Sequence, residues 1–200
     1  MSTKTDFLTR LTEAEWIGAW IAIVAVAASF TDFRSRKIYN WLTLPAMAFG
    51  LGLSFFMNGP VGFFYGALGI LIAFALFGIL WFAGMLGAGD VKLLMAFSAL
   101  SGAAGVVGQK PLTFSLDLAL LSILVGGALA ICILFVTGRM KPFIRKFYRF
   151  LLTAVTPGLE TEFPVADARL KMPFGISIAV AAVWLWFGNP LTRWGISLWS

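Results

Sequence analysis

Six apolar stretches, each long enough to cross a bilayer as a helix, leave this chain few ways to fold. A hydrocarbon layer needs about 17 to 25 consecutive apolar helical residues, and such stretches run roughly over 16–33, 41–57, 61–86, 91–108, 115–137 and 173–188. With 60% hydrophobic residues, twenty Phe and eight Trp, the chain carries far more apolar surface than one water-soluble core hides. The expected fold is therefore all-α, a polytopic membrane bundle of about six transmembrane helices. Glycines such as Gly50, Gly66, Gly69, Gly102 and Gly126 suit helices that approach closely within a membrane. No repeat and no long linker divides residues 1–200, so a single membrane-embedded domain is expected.

Charge sets the expected orientation. If the spans alternate, one side receives Arg34, Arg36, Lys37, Lys92, Arg139, Lys141, Arg145, Lys146, Arg149, Arg169 and Lys171, eleven of the fifteen basic residues. The positive-inside bias makes that side cytoplasmic and puts both termini outside. The first span reads as a retained anchor rather than a cleaved signal, because Asp6, Glu13 and Glu15 precede it and the stronger basic cluster follows it. Residues 138–172 form the one sizeable extramembrane piece. Within it Phe143, Phe147, Phe150 and Leu151 at helical spacing, interleaved with Lys141, Arg145 and Arg149, suggest a helix lying on the cytoplasmic leaflet. The net charge of +6 thus points to anionic lipid rather than to nucleic acid.

The chemistry available is narrow. There is no His, and the single Cys132 lies within an apolar run, which excludes a thiolate zinc cluster and a disulfide framework. Acid–base work falls to carboxylates, Lys or Tyr. Two aspartates stand out: Asp32 just after the first apolar run, and Asp90 closing Gly87-Ala88-Gly89-Asp90 after the third. Alternation places both on the cytoplasmic side, and ionisable groups beside membrane spans are costly enough to suggest function. Two neighbouring carboxylates can hydrolyse a peptide bond when one draws a proton from water and the other, protonated, supports the carbonyl oxygen. Asp32 falls at a helix C-terminus and Asp90 at a helix N-terminus; the macrodipole then makes Asp90 the candidate base and Asp32 the candidate proton donor. Taken alone, Asp90 reads equally well as a helix N-cap, and Asp32 as an interfacial charge beside Arg34 or Arg36.

Together the two segments Asp32-Phe33-Arg34-Ser35-Arg36-Lys37-Ile38-Tyr39-Asn40 and Gly87-Ala88-Gly89-Asp90-Val91-Lys92-Leu93-Leu94 are more specific. They resemble the two aspartate motifs of the type IV prepilin peptidases, membrane GxGD aspartic proteases, and in particular the short form of bacterial Flp/Tad pilus systems. Met172-Pro173-Phe174-Gly175 is similar to another recurring segment of that family. The resemblance implies that Asp32 and Asp90 are the catalytic pair, acting at the cytoplasmic face of the bacterial inner membrane. It also implies a prepilin or pilin-like precursor as substrate, cut before its hydrophobic stalk. Long family members carry paired CxxC motifs and methylate the new N-terminus; this chain lacks those cysteines, so cleavage without N-methylation is expected. No metal or other cofactor is expected. Tyr39 stands where relatives often have Pro, and Ile176 where Pro is frequent.

Supporting roles stay open at the level of sequence. Gly87 and Gly89 permit unusual dihedrals or the close approach of another backbone. Lys92 either steadies the charge on Asp90 or contacts a substrate carbonyl, or it snorkels to the interface. Asn40 either hydrogen-bonds near Asp32 or caps the second span. Glu160, Glu162 and Asp167 offer an acidic stretch for a basic leader or an ordinary solvated loop. Asp117 lies at the outer end of span five, on the wrong side for this chemistry. A small transporter or proton-conducting protein is the competing reading, which would require acidic groups at several depths.

Overall fold

The computed structural model describes residues 2–138, 140–142, 144–145, 148 and 174–193. It is an all-α membrane helix bundle, with no strand among the described residues. Helix α1 spans Ser2–Ser35, α2 Asn40–Phe82 and α3 Ala88–Ser98; a 3₁₀ segment covers Ala99–Val107; α4 spans Pro111–Val136, α5 Phe174–Gly188 and α6 Pro190–Arg193. Three of these, α1 over Glu13–Ser35, α2 and α4, are long and apolar enough to cross a membrane.

Helix α2 has 43 residues. As a straight rod it would measure about 65 Å, twice the hydrocarbon thickness. It is broken at Asn58 (φ −132°, ψ 19°) and Gly59 (φ 60°, ψ −148°). Gly59 accepts the positive φ that a side chain would resist, and Pro60 has no N–H to continue the ladder. The two arms fold back on each other: a Cβ on Gly66 would lie 3.0 Å from Leu51 Cδ2 and 3.3 Å from Ser54 Cβ. Fifteen residues along a straight helix would separate them by about 22 Å. The expected spans 41–57 and 61–86 thus correspond to the arms 40–57 and 60–82. The second arm stops earlier than expected because Gly84 turns left-handed (φ 72°), with Met85 N–H on Leu80 O at 2.9 Å closing the end.

The expected span 91–108 is not one α-helix. Its first half is α3; from Ala99 the backbone tightens into the 3₁₀ segment. Side chains from the hairpin take up carbonyls there: Ser54 Oγ donates to Ala99 O at 2.7 Å, and Asn58 Nδ2 donates to Gly102 O at 2.6 Å. In a membrane a carbonyl freed from the helical ladder needs such a partner. Gly102 lies directly on the backbone of Gly62, with no room for a Cβ between them.

Helix α5 packs against both α1 and α4, while the α2 hairpin covers α3 and the 3₁₀ segment. Phe77, Phe97, Phe114, Ile21 and Leu185 are fully buried between these layers. The far end of α5 is tied by polar contacts: Trp186 Nε1 donates to Ala14 O at 3.0 Å and Gln109 Nε2 to Leu185 O at 2.8 Å. Within 138–172, the described residues 140–142, 144–145 and 148 are helical. Apart from Gly138, which ends the described stretch that includes α4, the remainder of that segment, including Phe143, Phe147, Arg149, Phe150 and Leu151 of the expected surface helix, lies outside the described residues.

Replacing Gly102 by Val should drive a side chain into the Gly62 backbone and destabilise the purified protein by about 1–3 kcal/mol or more. Gly52→Ala, where a Cβ would meet nothing within 4 Å, should stay within about 0.5 kcal/mol of the parent. Thermal unfolding in detergent, followed by Trp fluorescence, measures both.

Candidate active site

Asp32 lies in the last turn of α1, and the helix stops just beyond it. Arg36 adopts φ 50°, and its N–H still reaches Asp32 O at 2.8 Å. The following residue Phe33 is 79% exposed, whereas Asp32 is only 4% exposed. The helix therefore turns a carboxylate inward and a phenyl ring outward. Asp32 faces the first turn of α5, where the backbone N–H groups of Gly175 and Ile176 are directed at the carboxylate, and the Arg36 guanidinium acts on it from the chain end. A Cβ on Gly175 would stand 2.8 Å from Asp32 Oδ2. That buried oxygen has no hydrogen-bond partner among the described residues.

Asp90 lies in the first turn of α3. Its Oδ2 accepts the N–H of Gly87 at 3.1 Å, and its own N–H reaches Gly87 O at 3.1 Å. Asp90 is not itself the N-cap, as the alternative had it: Gly87 is, and Asp90 at the third helical position turns its carboxylate back onto the Gly87 N–H, which orients it. Asp90 remains partly exposed. Gly89 rests on Ile38 of the loop between α1 and α2: a Cβ there would be 2.9 Å from Ile38 O and 3.0 Å from Ile38 Cβ. The motif glycine is needed for close approach of another stretch of this chain.

Asn40 and Lys92 are brought together, Lys92 Nζ donating to Asn40 Oδ1 at 2.9 Å. Asn40 is the first residue of α2, whose N-cap is Tyr39 with no side-chain cap bond. The capping role considered for Asn40 is therefore replaced by a tether between α2 and α3.

The first turns of α2, α3 and α5 and the last turn of α1 consequently converge at one end of the bundle. Asp32, Asn40, Gly87, Gly89, Asp90 and Lys92 all belong to that end. Asp117 belongs to the other: it is 2% exposed in α4, and its Oδ2 accepts from Asn189 Nδ2 at 2.9 Å, beyond the far end of α5. The 15 residues of α5 put about 22 Å between the two ends. Glu160, Glu162 and Asp167 lie outside the described residues.

Sequence reasoning passed over Gly175 and Ile38 as members of this constellation. Gly175 carried a signal, as the last residue of Met172-Pro173-Phe174-Gly175; Ile38 carried none, because an isolated aliphatic residue in a short basic loop has no chemical signature. Among the described residues no group of three or more His, Cys, Asp or Glu side chains is placed to hold a metal ion.

A model of the type IV leader peptidase family matches residues 19–134, a stretch that includes Asp32 and Asp90. No curated protein and no solved structure matches the chain.

If the two aspartates share one end as the helix termini do, Asp32→Cys with Asp90→Cys in a Cys132→Ser background should be joined by a short bifunctional thiol reagent. Pairing Asp32→Cys with Asp117→Cys should give no crosslink. Mobility on a non-reducing gel distinguishes the two.

Proposed function

The chain belongs to the type IV leader peptidase family, a family of aspartic-type prepilin peptidases, and we propose that Asp32 and Asp90 are its catalytic pair. The observation that carries this reading is the pairing of a buried carboxylate oxygen without a partner, Asp32 Oδ2, with a second carboxylate at a helix start of the same bundle end. Orphaned buried acceptors are uncommon and call for an explanation; a water or a substrate group shared by the two carboxylates supplies one.

In this mechanism Asp90 takes a proton from the water as its oxygen attacks the scissile carbonyl carbon. Asp32 donates a proton to the carbonyl oxygen, so that the tetrahedral intermediate carries no uncompensated charge in a low-dielectric setting. Collapse re-forms the carbonyl, breaks the C–N bond and passes a proton to the departing amine. Gly87 N–H steadies Asp90, and the first turn of α5 steadies Asp32. Lys92, held by Asn40, places a cation near the path of the substrate backbone.

The substrate is a type IV prepilin of the Flp-like class, cut on the N-terminal side of its hydrophobic segment. Cleavage proceeds without N-methylation, consistent with the absence of paired CxxC motifs. The enzyme resides in the bacterial inner membrane with the dyad at the cytoplasmic rim, both termini outside, and the basic segment 138–172 against anionic lipid. The positive-inside distribution of Lys and Arg supports that orientation.

The transporter reading draws on Asp117, an acidic side chain at a second depth. Its bond to Asn189 gives it instead a structural role at the end of α5.

Co-expression with a candidate prepilin tests the proposal. Asp32→Asn and Asp90→Asn should each reduce processing by at least about 100-fold with protein abundance unchanged, read by gel mobility. Asp117→Asn should leave processing largely intact; a transporter would show no processing by the parent at all. Mass spectrometry of the mature pilin should find a free, unmethylated N-terminus.

A further inference from the structure

Helix α5 packs on both α1 and α3, and at the end that carries the two aspartates one loop residue also bridges them. Ile38, in the four-residue connection 36–39 between α1 and α2, meets Gly175 on one side and Gly89 on the other. A Cβ on Gly175 would lie 2.6 Å from Ile38 Cδ1, and one on Gly89 would lie 3.0 Å from Ile38 Cβ and 3.3 Å from Ile38 N. Gly175 is also the residue set against Asp32 Oδ2, and Gly89 directly precedes Asp90. The order of contact is therefore Asp32, Gly175, Ile38, Gly89, Asp90.

Both faces that clamp Ile38 are glycines: Gly89 bears on its backbone and Cβ, with Ile38 O nearest at 2.9 Å, and Gly175 bears on the tip of its side chain, so Ile38 fills the space at the mouth of the site beside the direct packing of α5 on α1 and α3. Branching at Cβ restricts the Ile38 rotamer, which makes the spacer stiff. The side chain is partly buried and packed against the core, and the loop that carries it is held at one end by Arg36 N–H on Asp32 O and at the other by Asn40 on Lys92.

We propose that Ile38 is a positioning residue of this peptidase, the spacer that sets the separation between the Asp32-bearing and Asp90-bearing ends, with Gly175 and Gly89 as its two bearing faces. The inference rests on the catalytic reading of the aspartates. Its consequences follow from side-chain size. Ile38→Ala keeps the backbone and Cβ that meet Gly89 but empties the space beside Gly175, so the first turn of α5 and Asp32 lose their backing on that side. Gly175→Ala inserts a methyl group where Ile38 Cδ1 and Asp32 Oδ2 already lie. Ile38→Val deletes Cδ1 alone, keeps the branch, and relieves the tighter of those two contacts while the one with Asp32 remains.

Steady-state cleavage of a purified prepilin by the full-length enzyme in detergent tests this. Ile38→Ala should lower kcat about 10- to 100-fold, the scale of a misplacement near 1 Å, with KM within about threefold and with thermal stability close to that of the parent. Gly175→Ala should lose activity on a similar scale, and Ile38→Val in the same chain should return about fivefold or more of it, the coupling expected of residues in contact. In parallel, the Asp32→Cys/Asp90→Cys pair in the Cys132→Ser background, crosslinked with reagents of graded length, should prefer a different length when Ile38→Ala is added. This second measurement needs no activity and decides the point even if a variant is too unstable to assay. Unchanged kcat in Ile38→Ala, no recovery in the double variant, or an unaltered crosslinking length would each overturn the spacer. A parent enzyme that cleaves no prepilin would instead overturn the peptidase reading, while the crosslinking lengths still decide the role of Ile38.

Discussion

The approach of the last helix to the end of the first is the contact on which the rest of the site depends. A carboxylate turned into an apolar bundle is unfavourable unless polar groups meet it, and here the backbone N–H groups of Gly175 and Ile176 at the start of α5 face it while leaving Oδ2 without a hydrogen bond. That geometry is possible only because residue 175 has no side chain. It fixes the height of α5 against α1, and the far end of α5 is then held by Gln109, Trp186 and the Asn189–Asp117 bond. One helix is thereby tied at both ends, by a backbone approach at the end that carries Asp32 and by side-chain hydrogen bonds at the other.

The end that carries Asp32 and Asp90 is assembled from helix termini, and helix termini are where backbone groups are left over. In water such groups are solvated; where protein or hydrocarbon shuts water out they must find partners in the protein. The first turn of α3 gives Gly87 N–H to Asp90, and the first turn of α5 gives its N–H groups to Asp32. The requirement to satisfy the backbone and the requirement to orient two acids are met by the same atoms. The hairpin in α2 serves the same economy in the interior, where Ser54 and Asn58 occupy carbonyls of the 3₁₀ segment.

Much of the fold was legible before any coordinates, because the membrane imposes length. A stretch that must cross the hydrocarbon layer as a helix has to be apolar for its full extent, so most helical regions lie close to the apolar runs. What was not legible were departures from uniform helix. Gly84 ends the second arm of α2 four residues before the apolar run does, since a left-handed turn is set by backbone angles and not by hydropathy. The change to 3₁₀ geometry at Ala99 arises from donors on the hairpin, 44 and 45 residues away in the chain. The role of Asn40 stayed open for the same reason: its partner Lys92 is 52 residues distant, and local reasoning sees only neighbours.

The sequence by itself determined the class of molecule and the pool of usable chemistry: apolar runs that only a membrane accommodates, no histidine, one cysteine, and two aspartates beside spans, within motifs that resemble a peptidase family. Those are properties of composition and local order, which do not depend on how the chain returns upon itself. Only the tertiary structure decided which helix ends meet, that Gly175 backs Asp32, that Ile38 stands between the two glycines, and that Asp117 belongs to the opposite end. The physical reason is that clearance is a relation between surfaces: a glycine looks the same in sequence whether it faces open space, as Gly52 does, or another backbone, as Gly89 does.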